Sequence, residues 1–196
     1  YWHIHSILYQ SDIRAMYTNI NNQYVATPKM AIYQYDLSVD QHLDNFSSEV
    51  TMTGTALESS NVFTFCLNPG LNIRSVHSGE HPLEFKRDRQ IVLVDFGTDV
   101  AKGDTASVTF EYDGQIDKSF CYLDIPPEML QAPRKKFLFN IDKQYCFQTK
   151  NYLLLTPETY WYPRAGTGYS DKNPDWQQTY FSNYNLKVKP LPGLIP

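Results

Sequence analysis

The 196 residues carry a formal charge of −4, with 42% hydrophobic and only 19% charged residues, which excludes the polar, highly charged regime in which a chain cannot bury enough surface to fold. The Lys+Arg 17 are spread along the sequence without a basic stripe, so nucleic acid is excluded as a partner. The longest apolar stretches, Ile91 to Val94 and Tyr152 to Leu155, fall far short of the roughly 20 residues that cross a bilayer; the chain reads as soluble, with any membrane attachment supplied by segments outside it.

The first residues, Tyr1 to Ala26, place Ile4, Ile7, Leu8, Ile13, Met16, Tyr17 and Ile20 at helical spacing. Pro28 ends that rhythm, which predicts a helical extension over 1–28 and a β domain over 29–196. From Met30 the period drops to two, with Ile32, Gln34, Asp36 and Ser38 opposite Tyr33, Tyr35, Leu37 and Val39. Further strands are predicted at Val50 to Ala56, Val62 to Leu67, Asn72 to Val76, Leu83 to Phe85, Ile91 to Phe96, Ser107 to Tyr112, Phe120 to Ile125, Phe137 to Phe139, Tyr145 to Leu155 and Tyr180 to Val188. Glycine-bearing turns punctuate them at 68–70, 77–82, 102–104 and 112–115. With Tyr 15 and Phe 11, short strands at roughly 8 to 12 residue spacing predict a mostly β chain, an antiparallel, saddle-like β-sandwich with a short N-terminal helix. The proline-rich stretch 126–136 reads as a connecting excursion.

Candidate chemistry is sparse. Cys66, Cys121 and Cys146 have no C-x-x-C spacing and read as buried small hydrophobes. His77 and His81 flank Glu80, but Ser78, Gly79 and Pro82 make the segment a hairpin, whereas i, i+4 imidazoles converge on a metal only on a helix. His3 and His5 are weaker still. An acid pair for glycoside hydrolysis would draw on Glu158, Asp171 and Asp175 around the cluster Tyr160, Trp161, Tyr162 and Pro163, whose rings serve either as a sugar-stacking platform or as a plug in the end of a sandwich. No nucleophile elbow and no phosphate-cradling glycine motif occurs. On residues alone, no catalytic constellation is present.

Several stretches, taken in order, carry a family likeness. They are YQYDLSVDQHLDNFSSEVTMTG (33–54), FTFCLNPGLNIRSVHSGEHPLEF (63–85), KGDTASVTFEYDGQI (102–116), and the "WYP" turn at 161 followed by YFSNYNLKVKPLPG (180–193). Together they resemble the amino-terminal β domain of zinc aminopeptidases of the aminopeptidase N and leukotriene hydrolase type, the gluzincin metallopeptidases. The resemblance implies a non-catalytic domain that caps and shapes an adjoining catalytic domain of the same protein. In the family the zinc ligands sit on an H-E-x-x-H helix and a G-x-M-E-N strand grips the substrate's amino end; neither motif occurs here. The implied cofactor is therefore none in this chain, with zinc in the neighbouring domain if the parent is an active peptidase, and peptide substrate is implied only together with that domain.

Family members also tend to carry a glutamine about ten residues before the "YP" proline; here that neighbourhood is Tyr152 to Leu155, leaving Glu158 as the nearest polar residue. Glu158, Tyr160, Trp161 and Tyr162 are thus the substrate-side or domain-interface candidates, with Trp161 expected to be mostly buried. The helix before the first strand is similar to that of bacterial relatives fused to ABC-type permeases, which implies an extracytoplasmic face or periplasm and a membrane-tethered parent. The alternative is a free-standing extracytoplasmic module that binds glycans or another protein.

Overall fold

The structure, a computed structural model, describes residues 11–117, 146–148, 152–168, 170, 172 and 181–193. The predicted strands at Phe120 to Ile125 and Phe137 to Phe139, and the 126–136 excursion, lie outside the described residues.

Helix α1 (Ser11–Tyr24) is followed by β1 (Met30–Gln41), β2 (Phe46–Ala56), β3 (Ser60–Cys66), β4 (Leu71–Ser78), β5 (His81–Pro82), β6 (Glu84–Asp88), β7 (Ile91–Val100), β8 (Thr105–Gly114), β9 (Cys146–Gln148), β10 (Leu153–Leu155), β11 (Arg164–Ala165) and β12 (Asn183–Lys189). A six-stranded sheet runs in the order β12-β1-β2-β8-β4-β5, a four-stranded sheet in the order β11-β3-β7-β6, and β10-β9 form a small third sheet. The two large sheets make a β-sandwich because each has one apolar face to hide. Phe46, Val50, Met52, Val108, Phe110 and Tyr112 from the larger sheet meet Phe63, Phe65, Val92 and Val94 from the smaller. Phe65 and Phe110 cross edge to face at 5.4 Å. Each such side chain, fully buried, stabilises the fold by roughly 1.5 to 3 kcal/mol.

Strand β2 alternates without a break, its even positions buried and its odd positions outward. The outward face of the larger sheet is laced by hydroxyl pairs, Thr51 with Thr109 at 2.8 Å and Thr53 with Ser107 at 2.8 Å, which is the usual arrangement of an antiparallel sheet wetted on one side.

Three sequence expectations are corrected. Simple alternation puts Ile32 on the face of Gln34 and Asp36, yet Ile32, Tyr35, Leu37 and Val39 are all buried and Tyr33 is exposed. The register shifts between Ile32 and Gln34, so Tyr33 is a bulge residue that resets the phase. Gly54 pairs with Ile32 beside the bulge, and a Cβ there would meet the Ala31 carbonyl oxygen at 2.7 Å. The single strand expected over Tyr145 to Leu155 is instead two strands that pair antiparallel, Leu153 with Gln148 and Leu155 with Cys146; the polar stretch between them interrupts the apolar run. Finally, β12 lies parallel to β1, Tyr184 beside Tyr35 and Val188 beside Val39, in an otherwise antiparallel sheet.

Helix α1 sits on β7. Its Tyr17 and Ile20 are buried, Gln90 donates to the Tyr17 carbonyl at 3.1 Å and to Asn21 at 2.9 Å, and Tyr24 donates to Asp88 at 3.0 Å.

One buried polar side chain joins distant parts of the chain. Asn68, with 0% exposure, donates to the carbonyls of Thr159 at 2.9 Å and Asp117 at 3.2 Å. It accepts from the backbone N–H groups of Gly70 at 2.9 Å and Asp117 at 2.8 Å. Gly70 is obligatory beside it, since a Cβ there would stand 2.2 Å from the Gln115 carbonyl oxygen. Asn68→Ala strands buried carbonyls and N–H groups, which is expected to cost about 3 kcal/mol or more. Asn68→Asp keeps the accepting oxygen but turns a second oxygen toward two carbonyls, so its carboxyl pKa rises on folding. Its stability is therefore retained at acid pH and lost as pH rises through that raised pKa. Urea midpoints across pH read both effects; an Asn68→Ala midpoint equal to wild type would contradict the role given to this residue.

Candidate functional site

The predicted site lies where the chain returns from β10 to the four-stranded sheet. Pro157–Thr159 form one 3-10 turn, which Tyr160 closes in the left-handed region at φ 51 and ψ 41. That backbone is strained for a residue with a Cβ, by roughly 1 to 2 kcal/mol. It is held by the Tyr160 N–H donating to the Pro157 carbonyl at 3.1 Å and by the Asn68 N–H donating to the Tyr160 carbonyl at 2.8 Å.

The three aromatic candidates come together but do not share one environment. Tyr160 and Tyr162 are buried at 8% and 6% exposure, while Trp161, more accessible than its neighbours, is partly buried against the core. Trp161 packs at the rim of the core, its ring 6.4 Å from Phe46 and 4.9 Å from Tyr162, and its carbonyl accepts from the Tyr112 hydroxyl at 2.9 Å. Tyr160 lies on the helix side, beside Tyr17 and Cys66, Tyr162 lies in the main core, and Trp161 packs against that core from its rim. The backbone of Glu158 lies in the 3-10 turn; its side chain lies outside the described residues, as do Asp171 and Asp175.

Tyr162 opens onto a tyrosine cluster at the edge of the sandwich. Tyr35 stacks on Tyr184 at 4.9 Å with an interplanar angle of 1°, and meets Tyr162 edge to face at 5.5 Å. The hydroxyls of Tyr162 and Tyr184 stand 3.4 Å apart. Burial pushes the Tyr35 phenol well above its ordinary value, so it stays neutral at physiological pH. On the opposite side, burial pushes the Cys66 thiol up to about 12, which makes it an inert packing group; Cys146 is buried as well.

Strand β12 is the part sequence reasoning undervalued. Tyr184, Leu186 and Val188 lie on the inner face, beside the buried Tyr35, Leu37 and Val39, yet are 56%, 54% and 42% exposed. The four-stranded sheet ends at β11 and does not cover them, and the far edge of β12 pairs with no described strand. The alternation of apolar residues with Asn185, Lys187 and Lys189 announced an inner face; nothing in it announced that the face is open.

His77 on β4 and His81 on β5 flank a tight turn with Gly79 at φ 58, and they pair in register with Pro82 and Ser78. The His77 ring faces the Gly79 carbonyl at 2.8 Å and Glu111 at 3.6 Å. Among the described residues no group of three or more His, Cys, Asp or Glu is arranged to hold a metal ion. A shallow groove of about 220 Å³ on the outer face is lined by Ser38, Asp40, Ser47, Glu49, Arg74 and Glu111. Its Arg74 is engaged in a two-pronged pair with Asp113 at 2.9 and 2.8 Å. No helix of the described residues is long and apolar enough to cross a membrane.

Comparison with known proteins finds no matching family model and no match among curated proteins. Among solved structures the chain is similar to the M1 zinc metallopeptidase of Deinococcus radiodurans. A variant of that enzyme bound to a Tyr-Ser-Ala substrate matches at 20% identity over 45% of this chain and 21% of that one, with a TM-score of 0.42. A second structure of a variant matches at 22% identity over 50% of this chain and 23% of that one, with a TM-score of 0.44. A two-domain form bound to L-tryptophan matches at 20% identity over 50% and 22%, with a TM-score of 0.43. The chain thus spans less than a quarter of the length of these structures.

Tyr162→Ala opens a cavity between the sheets and is expected to cost about 3 to 5 kcal/mol, whereas Trp161→Ala, at the rim, costs about half as much. Thermal and urea unfolding of the two variants checks the order; a larger loss for Trp161→Ala would contradict the packing described.

Proposed function

We propose that this chain is the non-catalytic β domain of a larger aminopeptidase-like protein, in which it caps and shapes the mouth of an adjoining catalytic domain. The observation that carries the reading is the open inner face of β12. Tyr184, Leu186 and Val188 continue the hydrophobic surface of Tyr35, Leu37 and Val39 beyond the reach of the second sheet, and a contiguous apolar surface of that kind is the mark of a protein contact. Support also comes from the ordered motifs between 33 and 193, which fall on successive strands of one sandwich, and from the "WYP" turn, which lies against the same edge through the contact of Tyr162 with Tyr184.

On this reading zinc and the general base belong to the neighbouring domain. The contribution of this domain is burial and shape: the tyrosine cluster and β12 form one wall, and on the same reading Trp161 stands on the substrate side of the corner. The extracytoplasmic, membrane-tethered location implied by the permease-fused relatives is part of the same proposal.

The test uses the parent polypeptide. The 196-residue chain alone is expected to bind no stoichiometric zinc and to release nothing from aminoacyl-anilide substrates. The parent, reading on past Pro196, is expected to supply the H-E-x-x-H helix. Leu186→Lys in the parent is expected to separate the two domains, raising protease sensitivity at their junction while leaving the isolated chain folded. Metal-dependent hydrolysis by the isolated chain, or a parent indifferent to Leu186→Lys, would refute the proposal.

A further inference from the structure

Strand β1, by which the described chain enters the sandwich, and β12, its last described strand, are neighbours in one sheet and run parallel. Gln34 to Asp40 pair residue for residue with Asn183 to Lys189. A tension that reaches the domain from before Met30 and from after Lys189 therefore pulls the two strands from opposite ends of their shared ladder. The evenly spaced, slanted bonds of a parallel pair then lie across the pull and share it, so the strands must slide before any bond is relieved. Were the same two strands antiparallel, both attachments would stand at one end and the bonds would open one after another.

Side chains along the ladder resist the slide. On the outer face Asn185 donates to Asp36 at 3.2 Å and Lys189 to Asp40 at 2.7 Å; on the inner face Tyr184 stacks on Tyr35 at 4.9 Å. Just before the ladder begins, the Ser182 hydroxyl donates to the Ile32 carbonyl at 2.6 Å. A slip of one residue would also turn Tyr184, Leu186 and Val188 to the polar outer face, so the adjacent register does not catch the strand. Equilibrium stability is a separate matter, since every residue of β12 is exposed and a strand of that kind opens locally at low cost. Exposed pairs add little to that cost. What they set here is resistance along one direction, because forced unfolding follows the barrier on the loaded path and not the folding equilibrium.

We propose that β1 and β12 form a shear clamp, by which this domain carries tension between whatever holds the chain before β1 and whatever holds it after β12 without coming undone. That those two attachments are a membrane tether and a catalytic domain rests on the function proposed above; the direction-dependent strength of the ladder does not.

Single-molecule force spectroscopy on the 196-residue chain tests the clamp along two axes. On the first, the handles are at Tyr1 and Pro196. On the second, one handle stays at Pro196 and the other is an azide-bearing residue in place of Leu43, which is 63% exposed in the turn between β1 and β2 and stands at the same end of the ladder as Lys189. Release of α1 is expected as a small early event on the first axis. The main rupture there is expected at a force at least about twofold higher than on the second axis at equal loading rate, because the bonds are loaded together in one case and in turn in the other. Ser38→Cys with Lys187→Cys, partners in the register, staples the ladder; oxidised, it is expected to abolish the main rupture on the first axis, and reduction to restore it. The comparison of axes changes nothing within the ladder, so it decides the matter even if the double variant fails to fold or to oxidise. Equal rupture forces on the two axes, or a main rupture that survives oxidation of the staple, would overturn the proposal. A parent polypeptide without a membrane tether or a catalytic domain would count against the function proposed above and leave the direction dependence of this chain standing.

Discussion

The hydrogen bonds of Asn68 hold together three pieces of chain that local preferences leave apart. The residue sits in the turn from β3 to β4, where the chain passes from the smaller sheet to the larger. Its amide reaches the backbone after β8 at Asp117 and the turn before Tyr160 at Thr159. Buried backbone groups tolerate no vacancy among their partners, so this one side chain fixes the crossing between sheets and the corner that carries the aromatic run. The strained backbone of Tyr160 persists because the Asn68 N–H and the packing around it over-determine the conformation.

From that corner the rest of the functional surface follows by geometry. With Tyr160 committed to the helix side, Tyr162 must enter the main core and Trp161 must take the rim. Tyr162 then stands against Tyr35 and Tyr184, which ties the corner to the last strand. Because β12 adds to the larger sheet without a described partner in the smaller one, the sandwich finishes in an open apolar wall. The wall follows from the inequality of the two sheets, six strands against four.

Much of the fold is legible in the sequence, and the exceptions have particular causes. Strand β2 announces itself because one face is buried and the other more open, so alternation survives in the residues, and β3, buried on both faces over Phe63 to Cys66, announces itself as an apolar run. Strand β1 misleads because its bulge at Tyr33 inserts one residue, and a period-two pattern has no symbol for that. Strands β9 and β10 read as one because both are mostly apolar and the sequence between them, Thr149 to Asn151, has no glycine or proline. Asn68 looks like an ordinary turn residue, since a sequence cannot show which distant carbonyls an amide will meet. The aromatic corner was visible as a cluster, but its division between the helix side at Tyr160 and the main core at Tyr162 is a tertiary fact.

The central claim is that the inner face and outer edge of β12 are covered in the complete protein. Amide hydrogen exchange over residues 183–189 addresses it most directly, measured for the 196-residue chain and for its parent polypeptide under the same conditions. Exchange that slows across the strand in the parent while β2 and β8 are unchanged is the predicted result. Equal exchange of β12 in both would contradict the account.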